Sequence, residues 1–306
     1  MQTVKENVPL APLTTFEIGG TAQYLVDVRS EGDIREAIAW AKTHRVRHVI
    51  LGGGSNVLVP DSGLDALVIR LVGNLCSVKD GEVDSWAGSN LLVLIQSVGA
   101  QGWGGWEKLA GIPGSIGGAV RGNAGAFGPE IKDFVIKVRA LNAETGETRE
   151  FEKADCNFSY RHSFFKDHSE WIITRVELKL AAIKPAESQK FAEQTIAERE
   201  KRHLQNVRAA GSFFMNPVAP RGIQELFEIE KNVQSREGRV PAGWLIEKAG
   251  MKGATVGGAI ASLQHPNYIV NEGSATAQDV LTLAAGVKKA VKSRFGVELQ
   301  EEAAVL

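Results

Sequence analysis

The stretch GIPGSIGGAVRGNAGAFG, residues 111–128, is the most unusual part of this sequence. Seven of its eighteen residues are glycine, so the main chain itself is presented as a surface with little side-chain bulk. Glycine accepts positive φ and lets other groups approach the backbone, so successive N–H groups can point at an anion such as a phosphate. An isolated glycine cluster is more often a tight loop between strands. Taken alone, the stretch predicts either a flexible loop or a phosphate-binding surface.

A second glycine cluster favours phosphate binding. LGGGSN, residues 51–56, follows the apolar segment 46–50 and precedes the apolar segment 57–59. Both segments are predicted strands. Two glycine-rich turns flanked by strands could together bind one long diphosphate.

The residues before LGGGSN have a β-α-β pattern. Residues 22–28 predict a strand, and Ser30 can cap a helix over 31–44, where apolar residues recur at spacings of three and four. A glycine turn after the next strand is typical of nucleotide-binding sites. Because the turn lacks the GxGxxG fingerprint and no helix is predicted after it, an ordinary Rossmann fold is not expected.

From residue 66 to about 180 the pattern is β-rich, the predicted helices lie mostly beyond it, and no repeat or coiled coil is apparent. The predicted strands cover 66–71, 135–141, 147–151 and 171–180. The predicted helices cover 90–100, about 186–206, about 223–231 and about 276–295, the second being a highly charged, solvated connector. Irregular structure is predicted for residues 1–20 and 164–170.

Composition indicates a globular protein of two or three packed units. The 306 residues are 43% apolar and 23% charged, and a net charge of −1 gives no basic field for nucleic acid or an anionic membrane. Cys76 and Cys156 lack the CxxC spacing of zinc sites, and two lone cysteines suit a reducing compartment. No metal is expected. Without a signal-peptide pattern or a long apolar run, the predicted location is the cytoplasm.

Eight motifs, weak singly but specific in order and spacing, resemble one family over nearly the whole chain. They are TTFEIGG (14–20), LGGGSNVLV (51–59), GIPGSIGGAV with GNAGAFG (111–128), FSYRHSFFK (158–166), GSFFMNP (211–217), PAGWLIEKAGMKG (241–253), IVNEGSATAQDVL (269–281) and FGVELQEE (295–302). The family is that of the UDP-N-acetylenolpyruvoylglucosamine reductases, FAD-dependent enzymes of bacterial peptidoglycan precursor synthesis.

The resemblance implies an α+β chain. Its two-subdomain FAD-binding fold would be of the vanillyl-alcohol-oxidase (PCMH) type, followed by a C-terminal α/β substrate-binding domain. The implied boundaries are 1–69, joined by 296–306, for the first FAD-binding subdomain, 70–200 for the second, and 205–295 for the substrate-binding domain. About fifty residues separate Arg161 from Ser212, which is similar to the shorter subtype without an inserted tyrosine loop.

The reaction implied by the resemblance is reduction of the enolpyruvyl ether of a UDP-sugar to a lactyl ether, with NADPH as reductant and FAD as carrier. Arg161, Ser212 and Glu302 match the family's catalytic positions. Arginine stays cationic and can bind a carboxylate through two hydrogen bonds. Ser212 would donate a proton to the carbon next to that carboxylate. Glu302 would need to be protonated, or paired with Arg161, to assist rather than repel a developing enolate.

The resemblance also assigns binding residues. The FAD, held non-covalently, would contact Gly52, Gly53, Gly54, Ser55, Asn56, Pro113, Ser115, Gly117, Gly118, Ala119 and Gly125. The substrate would contact Tyr160, Asn216, Lys252 and His265. Arg121 could reach a flavin phosphate or ring carbonyl, or simply lie on the surface.

Two departures from the family pattern put the anion contacts in doubt. Met215 stands where lysine is frequent, and Ala304 stands where an arginine is frequent. A flavin oxidase of the same fold is one alternative, although no histidine occurs between His48 and His162, which leaves Cys76 as a possible covalent tether. A non-catalytic protein that binds nucleotide sugars is another alternative. The chain is expected to act as a monomer on a small UDP-sugar.

Overall fold

A computed structural model describes residues 3–202 and 206–306. The chain divides into two compact units. Unit 1 takes residues up to Val8, Ala22–Gly54 and Asp65–Lys201, and unit 2 takes Pro9–Thr21, Ser55–Leu64 and the residues from Arg202 onwards. The predicted separation of 1–69 from 70–200 stays a prediction, and the predicted start of the last domain, residue 205, lies outside the described residues.

Sixteen strands occur in the described part of the chain. They are β1 Lys5–Pro9, β2 Thr21–Val28, β3 His48–Leu51, β4 Val57–Leu58, β5 Leu64–Leu71, β6 Cys76–Lys79, β7 Glu82–Trp86, β8 Trp103–Gly104, β9 Val135–Asn142, β10 Thr148–Glu152, β11 Trp171–Lys179, β12 Ala181–Ala182, β13 Thr255–Val256, β14 Ala259–Ala261, β15 Ile269–Asn271 and β16 Ala304–Val305.

Eight α-helices occur over the same residues. They are α1 Glu31–His44, α2 Leu91–Gly99, α3 Ile116–Arg121, α4 Phe164–Asp167, α5 Pro185–Lys201, α6 Arg221–Lys231, α7 Ala242–Lys248 and α8 Ala277–Phe295. None of these helices combines the length and the apolar character needed to cross a membrane.

Unit 1 contains two main sheets. The first has the strand order β1-β2-β5-β3, and β3 runs parallel to β5. The second is antiparallel, with the order β10-β9-β11-β7-β6. One apolar core packs α1, α2 and α3 with residues of both sheets, and it buries Trp106 and Phe151 almost completely. The glycine stretch 111–128 directly follows Leu109 and Ala110, which are buried in this core. The core therefore fixes the start of the stretch.

Unit 2 is assembled from three separate segments of sequence. The antiparallel strands β13, β14 and β15 form one small sheet, and β4 pairs in parallel with β16. Its core brings Phe16 and Leu58 together with buried faces of α7 and α8. These contacts between residues far apart in sequence hold in place the segments that carry Ser212 and Glu302.

Strong local signals gave accurate element predictions. Ser30 caps α1 by accepting a hydrogen bond from the Asp33 N–H at 3.1 Å, and the helix covers the predicted residues 31–44. Strands β5, β9, β10 and β11 and helices α2, α6 and α8 are also confirmed, with ends within two residues of those predicted. The charged connector helix is confirmed as α5 up to Lys201, and the rest of the predicted span includes residues 203–205, which lie outside the described residues.

Two predictions of irregular structure were wrong, and one helix was not predicted. Residues 1–20 include β1, which gains its partner β2 from a later segment. Residues 164–170 include α4, whose Phe165 is buried in the core. The glycine stretch contains α3, capped by Ser115, because burial of Ile116 and Val120 outweighs the poor helix propensity of glycine.

The difference in burial between the two cysteine thiols allows a simple test of the fold. Cys156 is fully buried, and burial raises the pKa of its thiol to about 12, whereas Cys76 on β6 is partly exposed. Because the thiolate is the reactive form, we expect a disulfide reagent to label Cys76 in the native protein and Cys156 only after unfolding. Cys76→Ser should abolish native labelling, and rapid labelling of that variant would contradict the burial of Cys156.

Candidate active site

The two glycine-rich turns of unit 1 are in direct contact. A Cβ atom built on Gly53 would lie 2.5 Å from the Cα of Gly114, and one on Gly52 would lie 2.6 Å from the Oγ of Ser115. Both distances are too short for real side chains. Glycine is therefore required at position 53, where backbone atoms of the second turn occupy the space, whereas a side chain at position 52 would have to displace the Ser115 hydroxyl.

Several main-chain N–H groups at this contact have no acceptor. Within the described residues, the amides of Gly52, Gly53, Gly54, Gly114 and Ser115 donate no hydrogen bond. Gly54 and Gly114 have positive φ values of 64° and 115°, a backbone form that favours glycine. Unpaired N–H groups gathered in consecutive turns make an electropositive concavity suited to a phosphate.

The amides of α3, in contrast, are already used. The N–H groups of Ile116 and Gly117 donate to the carbonyls of Ser89 and Ala87, each at 2.9 Å, and that of Gly118 donates to Ser115 Oγ. A Cβ on Gly117 would lie 2.8 Å from that of Ala87, so this glycine serves packing. Gly117 and Ala119 are buried and Gly118 is exposed, and the contact of these three residues with FAD stays a prediction.

Asn56, one of the predicted FAD contacts, is joined to the segment that carries Glu302, and its contact with FAD stays a prediction. It belongs to unit 2, where its side-chain amide donates to the carbonyl of Glu302 at 3.1 Å. Its own carbonyl accepts from the Ala304 N–H at 3.1 Å. Asn56 therefore fixes the main chain around Glu302.

Arg161 sits at the tip of a tight turn. The N–H of Ser159 donates to the His162 carbonyl at 3.1 Å, and the reverse hydrogen bond measures 3.2 Å, so Tyr160 and Arg161 are the two central residues. Arg161 has φ +55°, in the left-handed region where arginine is strained by about 1 kcal/mol or more. Its guanidinium donates to the Gly125 carbonyl at 3.0 Å and lies 5.2 Å from the Tyr160 ring centroid.

Arg121, at the end of α3, offers a second cation in unit 1. Its side chain has no hydrogen bond or ion pair within the described residues. Its residue is solvent-exposed, yet surrounding protein atoms lower the pKa of the guanidinium by desolvation. Arginine remains charged at neutral pH even with this shift.

In unit 2 the structure brings Ser212 and Glu302 together. The segment after Ser212 pairs with the segment before Glu302 through the bridge between Phe214 and Glu301. The Glu302 N–H donates to the Phe213 carbonyl at 2.8 Å. Both catalytic candidates are partly exposed, which leaves them accessible to a ligand.

Asn267, which the sequence reasoning missed, clamps the Ser212 segment. It is only 2% exposed, and its side-chain amide donates to the Phe214 carbonyl at 2.8 Å while accepting from the Phe214 N–H at 3.0 Å. Its carbonyl accepts from the Phe213 N–H at 2.7 Å. An asparagine in a Pro-Asn turn is a common turn residue, so the sequence offered no signal for this role.

The predicted substrate-binding residues of unit 2 have protein partners. Asn216 accepts from the Ala242 N–H at 2.9 Å, at the start of α7. Lys252 is exposed and lies 2.8 Å from Glu247, and this hydrogen bond lowers the pKa of the glutamate. His265 packs edge-on against Tyr268, with ring centroids 4.8 Å apart. Lys252 and Glu247 are both exposed, Asn216 is joined to the start of α7, and the contact of these residues with substrate stays a prediction.

No metal centre accompanies these residues. Within 3–202 and 206–306, no group of three or more His, Cys, Asp or Glu side chains is arranged to hold a metal ion.

Matches to two family models define the class of protein. Residues 22–152 match the family model of the FAD binding domain, and residues 200–306 match that of the UDP-N-acetylenolpyruvoylglucosamine reductase C-terminal domain. The chain is thus an FAD-binding flavoprotein in which an FAD-binding domain precedes a C-terminal domain of the reductase type. The α+β fold class is confirmed.

Full-length relatives define the family. The chain is 37% identical over 302 residues to the UDP-N-acetylenolpyruvoylglucosamine reductase of Solibacter usitatus, covering 98% of this chain and 95% of that protein. It is 36% identical to the reductase of Carboxydothermus hydrogenoformans, covering 99% and 94%. The crystal structure of the reductase from Thermus caldophilus matches with a TM-score of 0.76 and 32% identity, covering 100% of this chain and 99% of that one. The chain belongs to the UDP-N-acetylenolpyruvoylglucosamine reductase family.

Proposed function

We propose that this protein reduces UDP-N-acetylglucosamine enolpyruvate to UDP-N-acetylmuramate with NADPH and FAD, in peptidoglycan precursor synthesis. Full-length similarity to reductases of that name supports the reaction. The observation that carries it in the structure is the contact of the two glycine turns, which leaves five main-chain N–H groups available for a dinucleotide diphosphate. Neither the oxidase nor the non-catalytic alternative is favoured by any of these relatives.

Main-chain groups would hold the cofactor. The amides of Gly52, Gly53, Gly54, Gly114 and Ser115 would bind the FAD diphosphate, with Pro113 and Gly125 alongside the cofactor. Bound FAD supplies hydride transfer from NADPH to the enolpyruvyl double bond. The fit rests on unpaired donors rather than on a side-chain cation, which agrees with the near-neutral charge of the chain.

Arg161 would bind and polarise the enolpyruvyl carboxylate. A guanidinium matches a carboxylate through two N–H groups, and it stabilises the negative charge that spreads onto that carboxylate as hydride arrives. The tip of the 159–162 turn leaves the side chain partly exposed for this purpose. Tyr160 packs on the guanidinium and would support its orientation.

Ser212 would donate the proton that completes the reduction. Glu302, held on the neighbouring segment, would stabilise the developing enolate if it carries a proton or pairs with a cation. Lys252 and His265 would contact the phosphates or sugar of the UDP-sugar. We further propose that Met215 and Ala304 leave these anion contacts weaker than usual, and that the protein is a cytoplasmic monomer.

Half-reaction measurements test this function. The purified protein should carry FAD that denaturation releases; NADPH should bleach it, and the enolpyruvyl UDP-sugar should restore its colour without oxygen. A protein that cannot be loaded with FAD would contradict the flavoprotein assignment. Reduced protein that ignores the enolpyruvyl UDP-sugar, but is reoxidised by oxygen after reduction by a sugar or alcohol, would support an oxidase instead.

A further inference from the structure

The strained Tyr160–Arg161 turn is fastened to the glycine stretch from several sides. The Arg161 guanidinium donates to the Gly125 carbonyl, and the Ser163 hydroxyl donates to the Arg121 carbonyl at 2.7 Å. On the other side, the Lys166 ammonium donates to the Arg161 carbonyl at 3.1 Å. A non-glycine residue persists in a left-handed conformation only where its surroundings enforce it. The three hydrogen bonds described here hold Arg161 in that conformation.

Asn123 makes the most buried of these connections. Its side chain is 0% exposed, and its amide nitrogen donates to the Ser159 carbonyl at 2.7 Å and to a Glu130 carboxylate oxygen at 3.0 Å. Its amide oxygen accepts from the Lys132 N–H at 3.3 Å. Both N–H donors and the oxygen are thus used, and the shortest bond reaches the first residue of the turn.

We propose that Asn123 is a positioning residue for Arg161: it anchors the start of the 159–162 turn to the glycine stretch and so holds the guanidinium ready for the substrate carboxylate. Ser163 anchors the other end of the turn in the same way. This inference rests on the proposed function, because it concerns the carboxylate that Arg161 would bind. It assigns no contact between Asn123 and the substrate.

The physical reason is the cost of misplacing a binding group. Without the Asn123 amide, the Ser159 carbonyl keeps the His162 N–H within the turn but loses the hydrogen bond that joins the turn to the glycine stretch, and the turn can relax to a conformation without positive φ at Arg161. Displacement of a catalytic contact by about 1 Å can cost about 100-fold in rate. That loss falls on the half-reaction that needs the carboxylate, and reduction of the flavin by NADPH does not need it.

The test compares Asn123→Ala with a matched buried asparagine. Asn142, in the same unit and 8% exposed, accepts from the N–H groups of Glu144 and Thr145 in the β9–β10 hairpin. In stopped-flow experiments on FAD-loaded protein, Asn123→Ala should slow reoxidation by the enolpyruvyl UDP-sugar about 10–100-fold, while reduction by NADPH changes less than about threefold. Asn142→Ala should destabilise the fold but leave both rates near those of the unchanged protein.

Measuring the Asn123→Ala effect in the Arg161→Ala variant distinguishes a positioning role of Asn123 from a general loss of structure. In Arg161→Ala protein, adding Asn123→Ala should slow reoxidation no further, because the group that it positions is gone. Equal losses in both half-reactions, or additive losses in the double variant, would overturn the inference. If Asn123→Ala does not fold, Ser163→Ala should give the same selective loss at about three- to tenfold, and its absence would count against the inference. Failure of the unchanged protein to react with the sugar would instead refute the proposed function.

Discussion

Ser212→Ala should leave flavin reduction by NADPH nearly unchanged and slow reoxidation by the enolpyruvyl UDP-sugar about 10²–10⁴-fold, the usual contribution of a positioned general acid. Reduction by NADPH requires no proton from the substrate site, whereas completion of the lactyl ether requires one. Rapid mixing, with flavin absorbance followed separately for each half-reaction, measures both rates.

Ser235→Ala is the matched control for Ser212→Ala. Ser235 is another partly exposed serine of unit 2, and its hydroxyl donates to Glu228 at 2.5 Å. Its loss should lower stability slightly and change neither half-reaction. The proton-donor role of Ser212 would be refuted if Ser212→Ala slowed both half-reactions equally, or if it slowed neither.

Gly53→Ala should have the second large effect, on cofactor binding. The new Cβ would lie 2.5 Å from the Cα of Gly114. Because that Cα is a main-chain atom, the clash can be relieved only if one of the two turns moves. If the turns move apart, the five unpaired N–H groups no longer lie close enough together to bind one diphosphate. Overpacking of this kind costs about 1–3 kcal/mol, so we expect FAD to bind roughly 10–100-fold more weakly, measured by titrating apoprotein with FAD.

Gly32→Ala provides the comparison for that experiment. Gly32 lies in the first turn of α1, where the nearest atom to an added Cβ is the Ser30 Oγ at 3.7 Å. Alanine there should raise stability by up to about 1 kcal/mol and leave FAD binding unchanged. If Gly53→Ala bound FAD as tightly as Gly32→Ala does, the contact of the turns would not form the cofactor site.

Local chemistry explains which elements could be predicted from sequence. Helix α1 has its own cap in Ser30 and an apolar face, so nothing outside 30–44 was needed to define it. Helix α3 has two glycines in six residues, and its existence depends on the packing of Ile116 and Val120 and on Ala87 beside Gly117. Strand β1 likewise depends on a partner from another segment. Such tertiary effects leave no local pattern.

The site shows the same division. Motif resemblance named Arg161, Ser212 and Glu302, but it did not reveal the turn that strains Arg161 or the pairing that joins the other two. The hydrogen bonds by which Asn123 and Asn267 hold neighbouring segments were not predicted, because asparagine in a loop is ordinary. Only their buried hydrogen bonds, to Ser159 and to Phe214, distinguish them from other loop residues.

The three-segment construction of unit 2 has a consequence for the order in which the protein is made. Phe16 and Leu58 are synthesised more than two hundred residues before Val287 and Leu299, which belong to the same core. Until then these apolar side chains lack their native neighbours, and the parallel pairing of β4 with β16 must close a loop of more than two hundred residues. Most of unit 1 can fold during synthesis, whereas unit 2 depends on delayed, long-range pairing and is the part that chaperones would need to protect.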